Sequence, residues 1–572
     1  MKIGRFLLAK EPKLKSQRSL FWLSLSLFFS LFYSYLAWQQ AISSDYIIQD
    51  DARQHIFWML RFTNSEIFPN DLIADYFQSV APSGYKFLYW SVNQLGIEPI
   101  LFSKILPSIL GVILTVYAFV LSLELLPLPF TAFVSTLLLN QNLWLQDGLI
   151  SGTPKAFAPP LLVAFLYYFL CRSILGICLT IILFGLFYPS LVFVCCALLV
   201  VSLLNIKNWR ISLNSDHYKI VITGLVVAFI VLLPYAVATS DYAPTITVAQ
   251  ARELPEFGAG ERAGYFNKNA WDFWFNGSRS SLRIPSGLMP PLAYLALLFP
   301  WISKRNPKQE KLQVTNKIDL FPRLIIASLG MFIIAHLVLF TFHLPSRYTL
   351  HTFRIIIIFM ASFILTFIWE FLLIRASKSK SLVKLFYAGC ALLLAVVLVF
   401  YPHTSKRFVW TRYVQGGEPA LYEYLQQQPL DTMVASLSLE ADNLPSFSQR
   451  STLVSREYAI PYHYGYYQPF RQRATDLIEA QYSENPETIK NFITKYNITH
   501  WLIEPGSFSP EYLAKNKWIR QHRPTAQNAI AALEQQKQPI IAQLKDSCGA
   551  YQSDRLTLLS SDCILRQLNH GS

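Results

Sequence analysis

Residues 20–55 read LFWLSLSLFFSLFYSYLAWQQAISSDYIIQDDARQH. From Leu20 to Trp38 no residue is charged, and the run is long enough to cross the hydrocarbon of a bilayer. Upstream, Lys2, Arg5, Lys10, Lys13, Lys15 and Arg18 form a basic start that marks the inner side. The run is too long for a cleaved signal segment and more apolar runs follow, so it reads as an uncleaved first helix. Downstream the chain turns polar and within a few residues reaches Gln49-Asp50-Asp51-Ala52.

The rest of the chain extends this pattern. Of 572 residues, 53% are hydrophobic and 15% charged, far too little charge to cover a soluble protein of this length. Apolar runs predict spans at about Ile100 to Leu121 and Pro129 to Leu145. Three short spans fall within Phe157 to Leu204, broken at Arg172 and at Tyr188-Pro189-Ser190, and further spans end near Ala238 and Trp301. Two flank the outer turn Leu344 to Arg354, and the last ends near Tyr401. The expectation is a polytopic α-helical membrane protein with about eleven transmembrane helices, N-terminus cytoplasmic, in a bacterial inner (plasma) membrane. With the sides alternating at each span, the whole net charge of +14 falls on the inner side, through loops such as Lys207 to Lys219, Lys304 to Lys317 and Arg375 to Lys384. The basic residues form no single patch, which excludes nucleic acid as a partner.

Residues 1–400 are thus expected to form the membrane domain, with a polar and aromatic first outer loop at 39–99. That loop suggests two amphipathic helices, near Asp51 to Phe62 and Tyr85 to Leu95. Ile56, Met59, Leu60 and Phe62 are expected to rest on the membrane surface. Residues 401–572 carry no span. Short apolar runs at Val434 to Leu437, Ser451 to Ser455 and Thr499 to Glu504 read as buried strands. Pro486 to Tyr496 reads as a helix opened by its proline, so an outer-face (periplasmic) α/β domain is expected. Five of the seven cysteines lie in or beside spans; Cys548 and Cys563 lie in the outer domain, where an oxidising compartment favours a disulfide.

The polar chemistry lies in the outer loops. In Asp50-Asp51, one carboxylate can take a proton from an attacking hydroxyl, and both can help hold a divalent cation such as Mg or Mn. On a helix starting here Asp51 and His55 share a face; the same pair can also simply cap that helix. In His343-Leu344-Pro345-Ser346-Arg347-Tyr348, Pro345 is expected to end a helix and Arg347 to sit at the membrane boundary, able to bind a lipid phosphate through two parallel bonds. Lys155, in Ser151-Gly152-Thr153-Pro154-Lys155, can neutralise a phosphate. Glu253 to Arg262 offers acceptor contacts, and Pro461 to Tyr467 a set of rings that can stack on sugars or pack on the membrane domain.

A first span followed by an outer loop with the paired acids of Gln49-Asp50-Asp51-Ala52 resembles the GT-C glycosyltransferases, among them protein mannosyltransferases, oligosaccharyltransferases and the aminoarabinose transferases of lipid A. The likeness covers the whole architecture, but the matching motif is short. It implies transfer of a sugar from a polyprenyl-phosphate carrier to a glycan, lipid or protein acceptor at the outer membrane face. Asp50 or Asp51 would be the general base, and Arg347 and Tyr348 the Arg-Tyr turn that receives the phosphate, with His55, Lys155 and Arg262 as further substrate contacts. The chain has no phosphate-binding glycine loop and no dinucleotide motif, which favours a carrier-lipid donor over a nucleotide sugar. Two other classes stay open: a non-catalytic lipid- or glycan-binding member of the fold, and a lipid-linked-glycan transporter or flippase. Transporters place ionisable groups deep in the membrane, whereas the spans here are nearly free of charge.

Overall fold

The computed structural model describes residues 10, 14–205, 210–211, 215–237, 240–283, 290–301, 315–405 and 408–570. Lys2, Arg5, Lys13, Lys207 and most of the basic loop Lys304 to Lys317 lie outside them. Among the described residues six helices are long and apolar enough to cross a membrane: Gln17–Ala41, Pro99–Leu125, His217–Val237, Asn316–Leu337, Ser346–Lys378 and Ser381–Thr404. Shorter apolar helices run Pro154–Leu170, Ile174–Phe187, Ser190–Ser202 and Pro291–Trp301. The block 157–204 therefore breaks where its sequence changes: at Arg172, whose φ is +53°, and at the Tyr188-Pro189 step.

Helix Pro129–Trp144 is the centre of the bundle, and every residue in it is buried. A helix surrounded on all sides by protein needs partners for its polar side chains. Thr131 pairs with Thr366 at 3.0 Å, Thr136 donates to Ser26 at 2.8 Å, Asn140 donates to Thr115 at 2.9 Å and Gln141 donates to the Leu398 carbonyl at 2.7 Å. Each bond reaches a different long helix.

The first loop folds more tightly than its sequence suggests. It contains a short helix Ala52–His55, a 3-10 turn Phe57–Phe62 and helices Leu72–Val80 and Ser83–Asn93. Ile56, Met59 and Leu60 do not rest on the membrane surface. They are buried in a core shared with Trp58, Phe68 and Tyr85, because the loop's own helices cover them. Pro345 also differs from expectation. It stands at the N-cap of Ser346–Lys378, opening that helix rather than ending the one before, so Arg347, His351 and Arg354 lie on the first turns of a long helix and not in a turn.

Beyond residue 408 a five-stranded sheet forms. Its central strand His500–Ile503 is buried throughout. It runs parallel to Met433–Ser436, which is parallel to Ser451–Thr452, and antiparallel to Thr557–Ser560, which pairs with Gly549–Gln552. Helix Pro486–Tyr496 packs beside it, ended by Asn497 in the left-handed conformation. Cys548 and Cys563 are joined by a disulfide. A second, two-stranded ladder pairs Ile47–Gln49 with Tyr413–Gln415, fastening the first loop to the chain just past the last long helix.

Candidate active site

The ladder delivers the paired acids. The Gln49 side chain is buried, and its Oε1 accepts from the backbone N–H of Asp51 at 2.9 Å and of Ala52 at 3.3 Å. The amide thus serves the start of helix Ala52–His55, and Asp51 makes no capping bond with its own side chain. The carboxylates are released for other work, and they part company. Asp50 receives Arg53 Nη2 at 2.6 Å; the same guanidinium donates to Asn443 at 3.0 Å and lies 3.6 Å from Glu457. Asp51 instead faces a cavity, where the Lys155 ammonium donates to it.

That cavity has a volume of about 460 Å³. Asp51, His55, Lys155, Arg262 and Arg347 all line it, together with Arg279, His343, Tyr188, Tyr462 and His463. Segments far apart in sequence therefore converge. Asp50 and Tyr348 do not line it. Tyr348 is fully buried and donates its hydroxyl to the Phe342 carbonyl at 2.6 Å, so its side chain holds the turn before the long helix and offers nothing to a ligand.

Burial works to raise the Asp51 pKa, but Lys155, with His55 and Arg347 beyond it, outweighs this and brings it down to about 2. Burial lowers His55 to about 4 and, with Arg347 and Arg279, lowers His343 to about 3, so both imidazoles are neutral at pH 7. Arg262 donates to Glu457 Oε1 at 2.8 Å and to its carbonyl at 3.0 Å. Burial pushes Glu457 up to about 7 against the pull of Arg262 and Arg53. Arg279 donates to the Arg262 carbonyl at 2.8 Å. Among the described residues neither Arg279 nor Arg347 has a carboxylate partner. Arg347 also sits in the first turn of a 33-residue helix, where the backbone dipole is positive.

Lys155 is held by its loop. Gly152 has φ +61°, Tyr89 donates to its carbonyl at 2.8 Å, and a Cβ there would meet the Ser103 carbonyl oxygen at 2.7 Å. Gly152→Ala is expected to cost about 1–3 kcal/mol, read as a lower Tm of the detergent-solubilised protein. An unchanged Tm would show that the loop relaxes freely.

A divalent cation does not fit the Asp50–Asp51 pair. The two carboxylates point to different cations, Arg53 and Lys155, and among the described residues no three His, Cys, Asp or Glu side chains converge as metal ligands.

Several site residues escaped the sequence reading. Arg53 and Arg279 carry no pattern of their own. Glu457 does leave a trace: it is the sole acid between Asp442 and Asp476, in an aromatic and basic stretch, and so a candidate for a buried counter-ion. The rings of 461–467 divide between two roles. Tyr462 and His463 line the cavity, while Tyr466 is buried and stacks on Tyr76 with centroids 3.7 Å apart.

No family model matches the sequence, and no curated protein matches it. Solved structures do match its fold. The apo oligosaccharyltransferase of Archaeoglobus fulgidus aligns with a TM-score of 0.57 at 12% identity, over 90% of this chain and 73% of that one. The archaeal oligosaccharyltransferase AglB of the same organism, in complex with an inhibitory peptide and a dolichol-phosphate, aligns with a TM-score of 0.57 at 12% identity over 90% and 72%. A further form, complexed with Zn and sulfate, gives 0.53 at 12% over 88% and 70%. With this architecture spread along nearly the whole chain, the protein has the GT-C fold.

Proposed function

We propose that this protein transfers a sugar from a polyprenyl-phosphate carrier to an acceptor hydroxyl on a glycan, lipid or protein, at the outer face of the membrane. The observation that carries the reading is the charge arrangement of one cavity: a carboxylate at Asp51 and, in the same space, two guanidiniums, Arg279 and Arg347, that have no carboxylate partner among the described residues. A solved protein of this fold binds a dolichol-phosphate, which supports a lipid-phosphate donor. On this reading residues 1–400 form the catalytic membrane unit. Residues 401–572 form an outer-face unit that closes the acceptor side through Tyr462 and His463.

In the proposed step the acceptor oxygen forms a bond to the anomeric carbon as the bond from that carbon to the phosphate oxygen breaks. The electron pair leaves with the phosphate, whose growing charge is met by Arg347 and Arg279. The acceptor proton passes to an Asp51 oxygen. A carboxylate held at about 2 is a weak base, which suits late proton transfer from an oxygen already bonding to carbon.

The test is transfer of labelled sugar from polyprenyl-phosphate donors by the purified protein, with membrane extract as the acceptor pool. Transfer is expected; carrier lipid that binds but yields no product would overturn the reading in favour of a binding role. The pH profile adds a check. Because the Asp51 pKa is lowered, its carboxylate form persists above about pH 2, so the rate should not fall between about pH 8 and about pH 5 on account of this group. A rate halved near pH 7 on acidification would assign the proton transfer to another residue.

A further inference from the structure

We infer that the Lys155 ammonium stands where a divalent cation would otherwise sit, between Asp51 and Asp147, so that this cavity works without a bound metal. Lys155 Nζ donates to Asp51 Oδ2 and lies 3.8 Å from Asp147 Oδ2. Two carboxylates from different loops thus converge on one cation, which is the arrangement that recruits a metal when the space between them is empty. Here that space is filled. The nearby polar groups are committed as well: Asp147 receives Arg412 Nη1 at 2.8 Å, Asp50 receives Arg53, and the neighbouring Gln146 side chain accepts from Arg354.

The lysine is built in rather than loosely placed. The Gly152 turn, at a φ that glycine adopts freely, sets the loop, Pro154 opens the helical turn that carries Lys155, and the side chain is about one-fifth exposed. An ammonium can do part of what a metal does: it keeps Asp51 ionised and oriented. It carries one charge rather than two and asks for no octahedral ligand set. A further positive charge is supplied by Arg347, which also acts on Asp51. A protein of the same fold has been solved with Zn, so a metal is a concrete alternative for this architecture.

The inference takes the cavity of the proposed transferase as its site, but its test needs no turnover. The metal-stripped, full-length protein is titrated with Mn²⁺ and bound ion is read by electron paramagnetic resonance. Wild type and Lys155→Arg are expected to show no tight site. Lys155→Ala, or Lys155→Ser should the alanine variant fold poorly, is expected to bind Mn²⁺ at least about tenfold more tightly than wild type, since a competing unit charge has been removed. Asp147→Asn in the same background is expected to abolish the gain. One Mn²⁺ held by the wild type and lost in Asp51→Asn would overturn the inference. Absence of binding in both wild type and the neutral variants would overturn it too, since the lysine would then replace nothing. Failure of sugar transfer would count against the proposed function and leave these readings unaffected.

Discussion

Asp51→Asn is expected to lower kcat for sugar transfer by about 10²–10⁴-fold, the usual contribution of a positioned base, while Asp50→Asn keeps most of the rate. The two residues are neighbours of identical chemistry, and the difference lies in their partners. Asp51 is in the cavity beside Lys155 and His55; Asp50 is turned toward Arg53, which is itself anchored by Asn443 and Glu457. Losing Asp50 removes one partner of a guanidinium that retains two others, so its effect belongs to stability, about 1 kcal/mol. Losing the Asp51 charge removes the proposed proton acceptor and leaves the Lys155 ammonium facing a neutral amide. Kinetics of both variants, with thermal unfolding to establish that each is folded, decide the matter. The opposite ranking, with Asp50→Asn inactive and Asp51→Asn active, would move the base to Asp50.

Arg347→Ala is expected to cost about 10²–10³-fold in kcat, because a fixed charge is worth most where charge develops on the departing phosphate. Arg347→Lys should recover only part of this, since a point charge cannot make the two parallel bonds of a guanidinium. Tyr348→Phe is the internal control. Its hydroxyl serves the Phe342 carbonyl, so the variant should lose about 1 kcal/mol of stability and keep its rate. A rate unchanged in Arg347→Ala would mean that Arg347 only borders the cavity, and would leave Arg279 as the cation to test.

How far the sequence carries can be seen at particular residues. Uncharged runs locate the long helices because hydrocarbon tolerates little else. The breaks at Arg172 and Pro189 and the helix Pro486–Tyr496 are legible for equally local reasons: a charge, a proline, a proline at N1. The site is legible only as a set of outer-loop candidates. Nothing near Asp50 says that its partner Arg53 is tied to Asn443 and Glu457, about 400 positions away. Ile56 and Met59 look like membrane-facing residues because the segments that cover them follow later in the chain. Thr557–Ser560 is hidden in the same way: its residues TLLS become a strand only when the buried His500–Ile503 offers them an edge. Long-range pairing, rather than local preference, decides each of these.

The polar contacts of helix Pro129–Trp144 have one more consequence. Thr131, Thr136, Asn140 and Gln141 each grip a different neighbour, at successive depths along one rod. Sliding that rod by a single residue, about 1.5 Å, would unseat all four grips together. The bundle therefore acts as a clamped gauge block: the helix ends from which the loops bearing Asp51 and Lys155 emerge keep a set separation. The spacing at which the acid meets the ammonium is then set deep in the bundle, far from either.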